Sequence, residues 1–155
     1  MDGTMILDVN QRLFEAYKDK LKIMVDKFYG KTKEKQGDAN KTMFLYSRLL
    51  DEVFRNFFKL YFFFSDDFKL IGYGSLQILN DIYGDKYLNI WQLYLENGKD
   101  NNKFFDEFNK ITEVVALEYF CRDINIITSR KIKSYSKWIK KYGFNEAGVI
   151  FSKKI

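Results

Sequence analysis

The stretch from Asp66 to Leu79, DDFKLIGYGSLQIL, places Gly72-Tyr73-Gly74 inside an apolar segment that begins after a polar turn. A strand with the pattern basic-Gly-aromatic-Gly-aromatic is typical of single-stranded RNA-binding platforms. Glycines inside a strand also mark positions where the strand bends, or where a ligand or a second backbone comes close. The two interpretations predict different partners, and the neighbouring segments decide between them.

Apolar segments lie on both sides of this stretch. Residues 59–64, KLYFFF, precede it and end at the turn Ser65-Asp66-Asp67, and residues 87–96, YLNIWQLYLE, follow the turn NDIYGDK. Aromatic and aliphatic runs joined by short polar turns are typical of β-hairpins. The sequence therefore predicts an antiparallel meander of three strands.

This order argues against RNA binding, because a helix follows the glycine-aromatic strand of the RNA platform and here another strand follows. Ile71 also stands where that platform has a basic residue, and Ser75 where it has the next aromatic. Gly72 and Gly74 are therefore interpreted as positions of a bend or of close approach by a ligand or second backbone. A purely structural β-bulge is the alternative.

Apolar residues recur at helical spacing before and after the meander. A first helix is predicted around residues 14–28, with Asp8 or Asn10 as its N-cap, then a polar loop at 29–42 and a second helix at 43–57. The most regular helix follows the meander. Its apolar stripe contains Phe104, Phe108, Ile111, Val115 and Leu117 or Tyr119, beside Phe105, Thr112 and Ala116.

Residues 123–129, DINIITS, are predicted to form a strand parallel to the last meander strand, because a crossover helix joins the two. A helix ending at Gly143 and a final strand at 146–155 complete the chain. The predicted fold class is α+β, with a mixed sheet, antiparallel meander then parallel crossover, flanked by helices.

Composition limits the chemistry available to this chain. Its 155 residues, 46% of them apolar, suit a single folded domain. Without histidine it has no imidazole base, no Ser-His or Cys-His pair and no imidazole ligand, and no metal site is predicted. The lone Cys121 is interpreted as a buried thiol. The absence of a signal sequence and of an apolar run of ~20 residues predicts an intracellular protein without a membrane span.

The net charge of +5 can indicate nucleic-acid binding. The lysines are nevertheless scattered along the chain, with small concentrations at 31–35 and 131–141, as is typical of solvated helix faces. Nucleic acid is therefore not the expected partner.

Three segments in this order resemble the GNAT superfamily of acyl-CoA N-acyltransferases. SDDFKLIGYG (65–74) is similar to its first hairpin, and LNIWQLYLENGKDNNKFFDEF (88–108) to its central strand, phosphate loop and following helix. TSRKIKSYSKWIKKYGFNEAGVIFSKKI (128–155) is similar to its closing helix, Gly-Phe turn and last strand. The resemblance covers about residues 43–155 of the single domain, so residues 1–42 are predicted to be an added N-terminal helix and a Lys-rich loop. Divergent members encoded by tailed bacteriophages are the most similar.

The resemblance implies that acetyl-CoA, or another acyl-CoA, binds where the sheet splays between meander and crossover, and that an unknown amine is the acceptor. Unpaired strand groups would bind the pantetheine amides, and free N–H groups at a helix start would bind the pyrophosphate. Direct attack by the amine needs a general base, for which Glu96 is the candidate, with a solvated turn carboxylate as the alternative. The implied cofactor-binding residues are Leu93, Tyr94, Leu95, Lys99, Asn101, Asn102, Lys103 and Phe104.

Two departures from the family pattern bear on this expectation. Asp100 stands near the basic position of the phosphate loop, and Asn101 and Lys103 stand where the family has glycines that let the backbone approach phosphate. The tyrosine that usually protonates the leaving thiolate is replaced by Ile139. Tyr135, one turn earlier, is the candidate for that role, with a core tyrosine as the alternative.

Two functions from different classes therefore stay open. The first is an acyl-CoA-dependent N-acetyltransferase that acts on an amine of a small molecule or protein. The second is a GNAT fold without turnover that serves as a binding or virion-associated structural protein, with protein partners at the Lys-rich loop and exposed aromatics.

Overall fold

A computed structural model describes residues 5–30, 46–49, 51, 55, 58–96, 98, 101–126, 140–145, 151 and 153. Within them the elements are β1 (Met5–Asp8), α1 (Gln11–Gly30), β2 (Phe58–Phe64), β3 (Leu70–Asn80), β4 (Lys86–Leu95), α2 (Asn101–Glu118) and β5 (Asp123–Ile126). The strands form a five-stranded sheet in the order β1-β2-β3-β4-β5. Neighbours are antiparallel except β4 and β5, which are parallel. The predicted α+β fold, with a meander followed by a parallel crossover, is confirmed.

The two turns of the meander are held by short polar side chains. In the first, the Ser65 hydroxyl accepts a hydrogen bond from the Lys69 N–H at 3.3 Å, and the Ser65 N–H donates to the Lys69 carbonyl at 2.9 Å. In the second, Asp81 Oδ1 accepts from the N–H groups of Tyr83 at 2.8 Å and Asp85 at 3.0 Å. Side chains of Ser and Asp favour such turns because they satisfy nearby backbone donors.

The start of the chain differs from the prediction, which placed a helix first. Met5–Asp8 forms β1 and pairs antiparallel with β2, with Met5 opposite Phe64. After it, Asn10 Oδ1 accepts a hydrogen bond from the Leu13 N–H at 2.8 Å, so Asn10 is the N-cap of α1. Asp8, the other candidate, instead forms an ion pair with Lys59 at 3.7 Å.

The sheet is covered on both faces. On one face, α1 buries Phe14, Leu21, Met24 and Val25 against aromatic residues of β2, and Tyr73 and Tyr94 lie in the same cluster. On the other face, α2 buries its stripe against Phe63, Leu76, Leu88 and Ile90. The stripe predicted for α2 is confirmed at Phe104, Phe108 and Val115, and at its end Tyr119 packs against the core whereas Leu117 is exposed.

Gly72 and Gly74 lie where other groups come close to β3. A Cβ at Gly72 would meet the carbonyl oxygen of Tyr94 on the neighbouring strand, and a Cβ at Gly74 would meet the Phe108 ring at 2.5 Å. The predicted approach of a second backbone is confirmed at Gly72, whereas at Gly74 a helix side chain comes close instead of a ligand or a backbone. The register of β3 against β4 shifts just after Ser75, so a β-bulge lies next to the glycines. The bulge accompanies the close approaches at Gly72 and Gly74 and is not an alternative to them.

Several predictions fall largely outside the described residues. Residues 46–49 and 51 of the second predicted helix are helical, as are residues 140 and 141 of the closing helix, and Gly143 has a left-handed φ of 78°. The predicted final strand at 146–155 is described only at residues 151 and 153. Cys121 is half-buried rather than buried, and burial raises the pKa of its thiol. Among the helices described, none is long and apolar enough to cross a membrane.

Candidate active site

Among the residues that the structure describes, the sheet opens at the C-terminal half of β4, where no described strand lies beside it on the β5 side. Its pairing with β5 runs from Tyr87 opposite Asp123 to Ile90 opposite Ile126, which is also the last described residue of β5. The next residue, Trp91, is bulged, because Ser75 pairs with Gln92 and Leu76 with Ile90. From Trp91 onward β4 pairs only with β3 in the part of the chain that the structure describes.

Backbone alternation shows which groups of β4 face this opening. The Glu96 N–H donates to the Ile71 carbonyl at 2.9 Å, toward β3. Successive residues of an antiparallel pair turn their N–H and C=O groups to opposite sides, so those of Tyr94 also point toward β3. The N–H and C=O groups of Leu93 and Leu95 therefore point to the side on which β5 lies, where no described strand pairs with them.

The start of α2 lies just beyond β4. The helix begins at Asn101 and has no acidic residue in its first turn. The first N–H groups of a helix lack partners within the helix, and its dipole favours an anion there. Asn102 and Lys103 are exposed and Asn101 is half-buried. The Phe104 ring is instead buried and stacks on Phe63, with ring centroids 5.8 Å apart, so only its backbone can face a ligand.

These features fit the two ends of an acyl-CoA. Two alternate strand residues whose backbone groups have no described partner suit a chain of amides, and the N-terminus of a helix suits a diphosphate. At Gly98, a Cβ would meet only Asn101 Oδ1 at 3.5 Å and the Glu96 carbonyl oxygen at 4.0 Å, so the described part of the loop is not crowded. Lys99 and Asp100 lie outside the described residues.

The Glu96 side chain lies on the α1 face of the sheet. Its Oε1 atom is 3.3 Å from Lys20 Nζ and 3.7 Å from Lys27 Nζ, and 31% of the side chain is exposed. Tyr94, two residues earlier on the same face, is buried, and burial followed by the negative charge of Glu96 raises the pKa of its hydroxyl. The structure thus places the predicted base at the end of β4 and surrounds it with two ammonium groups that the sequence did not indicate.

A buried polar pair lies beside the bulge. The Tyr73 hydroxyl donates to Gln92 Oε1 at 2.8 Å, and the Gln92 N–H donates to the Ser75 hydroxyl at 3.0 Å. Gln92 is 1% exposed, and within the described residues its Nε2 has no hydrogen-bond partner. The alternating pattern of β4 predicted an ordinary strand here, so neither the bulge nor this pair was expected.

Two further features lie outside this opening. Tyr135, the predicted thiolate acid, belongs to the residues that are not described. A groove of about 390 Å³ between the β1–β2 edge and α2 is lined by Tyr61, Lys59 and Val115, among others. It lies at the opposite edge of the sheet from β5 and contains none of the predicted site residues.

The sequence by itself matches no protein-family model and no curated protein. Solved structures match across the chain. A proposed acetyltransferase from Pyrococcus furiosus is 16% identical with a TM-score of 0.73, covering 98% of this chain and 99% of that one. The aminoglycoside N-acetyltransferase AAC(6')-Iy, solved in complex with CoA, is 13% identical with a TM-score of 0.73, covering 97% of this chain and 94% of its own.

A GNAT family acetyltransferase from Staphylococcus aureus is 12% identical with a TM-score of 0.64, and the match covers 99% of both chains. The likeness therefore includes the N-terminal residues as well as residues 43–155. At sequence identities this low, the structural likeness shows the fold. The activity has to be argued from the candidate site. The mixed sheet and these matches together show that the chain has the fold of the GNAT acetyltransferases.

Proposed function

We propose that this protein is an acyl-CoA-dependent N-acyltransferase that acetylates an amine by direct transfer. The observation that carries the proposal is the opening at β4, where Leu93 and Leu95 have no described strand as a partner on the β5 side and lie close in sequence to the start of α2. The fold shared with acetyltransferases, one of them solved with CoA, supports it.

The bound thioester supplies an activated acyl carbon. Leu93 and Leu95 would hold the pantetheine arm through their N–H and C=O groups, and the first N–H groups of α2 would bind the pyrophosphate. Glu96 accepts the proton that the acceptor amine loses, directly or through a water molecule. Tyr135 remains the candidate to protonate the leaving thiolate.

Calorimetric titration with acetyl-CoA tests cofactor binding. We expect saturable micromolar binding to the wild-type protein, and a thermal stabilisation that grows with ligand concentration. Asn102→Glu should weaken binding roughly fivefold or more, because a carboxylate at the helix start repels the pyrophosphate. Asn102→Gln, which adds length without charge, is the matched control. If the two variants bind acetyl-CoA with equal affinity, the cofactor does not bind at the start of α2.

The role of Glu96 is tested by turnover. Glu96→Gln should lower the acetylation rate about 100-fold or more while the affinity for acetyl-CoA stays unchanged, because general-base catalysis contributes that much. Glu96→Asp, which keeps a carboxylate, should retain part of the activity. A fully active Glu96→Gln variant would show that another group accepts the proton.

The second candidate is a GNAT-fold binding or virion-associated structural protein without turnover. Asn101 and Lys103 favour this candidate, because they stand where the family has glycines. The exposed side chains of Ile82, Tyr83 and Phe120 also favour it, because exposed apolar groups can contact a protein partner. Absence of both heat and thermal shift at millimolar acetyl-CoA would support this candidate over the enzyme. An origin in a tailed bacteriophage and an N-terminal extension at residues 1–42 remain predictions from the sequence.

A further inference from the structure

We infer that the acceptor amine carries an anionic group, as an amino acid or an ω-amino carboxylate does, and that Lys20 and Lys27 bind this group. The inference rests on the proposed function and names the substrate class of that same site. It is carried by the surroundings of Glu96, where α1 lies over the end of β4.

Both lysines contact the same oxygen of Glu96. Lys20 Nζ and Lys27 Nζ lie 3.3 Å and 3.7 Å from Oε1, and no described residue donates a hydrogen bond to Oε2. We therefore assign Oε2 to the acceptor amine. An amine that reaches Oε2 necessarily comes close to both ammonium groups.

The two lysines retain unused binding capacity. They are seven residues apart on α1 and so lie on one side of the helix, two turns from each other. Their side chains are 41% and 49% exposed, and Glu96 is the carboxylate that each contacts. An ammonium group has three donors, so each lysine can bind a second anion while it keeps Glu96.

The charge balance selects the kind of acceptor. Among the described residues, the two positive charges of Lys20 and Lys27 contact the one negative charge of Glu96, so the sum over these three groups is positive. A second cationic group on the acceptor would be repelled, whereas a carboxylate would complete a balanced set of charges. This preference is opposite to the one that a polycationic aminoglycoside requires, although aminoglycoside N-acetyltransferases share the fold.

Matched acceptors of equal chain length test the inference. We would measure acetylation of ω-amino carboxylates, the corresponding n-alkylamines and the corresponding α,ω-diamines by the release of CoA from acetyl-CoA. The amino carboxylate should exceed the diamine about tenfold or more in kcat/KM. Lys20→Met and Lys27→Met should each reduce this ratio roughly threefold, and high salt should reduce it as well.

Binding measurements separate the possible failures. The affinity for acetyl-CoA should be the same in both variants and in the control Lys18→Met, whose lysine pairs with Glu15 instead. Calorimetry with an ω-amino carboxylate, in the presence of CoA, should show the same threefold losses.

If acetyl-CoA binds and diamines are acetylated as fast as amino carboxylates, the inference is wrong and the proposed function stands. A loss of acetyl-CoA affinity in Lys20→Met or Lys27→Met would show that these lysines bind the cofactor instead, which also overturns the inference. If acetyl-CoA does not bind at all, the proposed function and the inference fail together.

Discussion

Gly74 is the residue at which the sheet and α2 come closest. The ring of Phe108, which is fully buried, occupies the space where any other residue would place its side chain. The ring also makes an edge-to-face contact with Phe63, with centroids 5.4 Å apart, so it has little room to move. The glycine is required by packing, and its backbone does not have a positive φ.

Gly74→Ala should therefore destabilise the protein by about 1–3 kcal/mol, measured by urea unfolding, because the new methyl group overlaps the Phe108 ring. Gly98→Ala is the matched control, because among the described atoms a Cβ there meets Asn101 Oδ1 at 3.5 Å and the Glu96 carbonyl oxygen at 4.0 Å, both ordinary contacts. The double variant Gly74→Ala/Phe108→Leu should show less than the sum of the two single losses. Additive losses, or an unchanged stability of Gly74→Ala, would contradict the proposed clash.

Among the elements, α2 is tied to the segment that follows β5. Asp106 on α2 accepts a hydrogen bond from the Tyr142 hydroxyl at 2.6 Å and forms an ion pair with Lys141 at 3.1 Å. These contacts, the Tyr142 hydrogen bond first, lower the pKa of Asp106. Burial and then the hydrogen bond to Asp106 raise the pKa of Tyr142. The negative form of Asp106 therefore favours the folded state.

The pH dependence follows from the direction of that shift. A carboxyl group with a lower pKa in the folded state stabilises the fold above its ordinary pKa of 3.8, and the stabilisation is lost as pH falls through the folded value. The difference in unfolding free energy between wild type and Asp106→Asn should thus be larger at pH 7 than at pH 3. Tyr142→Phe should also make stability depend less on pH, because it removes the hydrogen bond that lowers the pKa of Asp106. A difference that is equal at both pH values would contradict this coupling.

The elements differ in how well the sequence predicts them, for physical reasons. The meander is predictable because its strands are bounded by turns that Ser65 and Asp81 stabilise locally. β1 is not, because four residues are too few to show an alternating pattern and the strand is stabilised by pairing with distant residues of β2. Local patterns report local contacts, and β1 depends on a non-local one.

The same distinction applies to the candidate site. The position of Glu96 after β4 and the start of α2 at Asn101 follow from patterns within one segment. The ion pairs of Glu96 with Lys20 and Lys27 join residues far apart in the chain, and the bulge at Trp91 has no signature in the sequence IWQLYL. The position of the site in the sequence could therefore be predicted. The two lysines beside Glu96 and the bulge at Trp91 could not.

For the molecule as a whole, the sheet has two regions with different pairing. From Tyr87 to Ile90, β4 lies between β3 and β5, and its backbone groups have partners on both sides. After the bulge at Trp91, β4 pairs with β3 alone among the described residues. Helices pack against both faces of this sheet.

Hydrogen exchange followed by NMR should reveal this division residue by residue. The amides of Leu88 and Ile90 lie in the fully paired region, whereas the amides of Leu93 and Leu95 face the opening and those of Tyr94 and Glu96 face β3. We expect exchange at Leu93 and Leu95 to be at least about tenfold faster than at Tyr94 and Glu96, because protection requires a bonded, inaccessible amide. Acetyl-CoA should then slow exchange at Leu93 and Leu95 while leaving Tyr94 and Glu96 nearly unchanged. Equal protection at all four positions without ligand would mean that another segment of the chain already pairs with β4, and the opening could not bind a cofactor through its backbone.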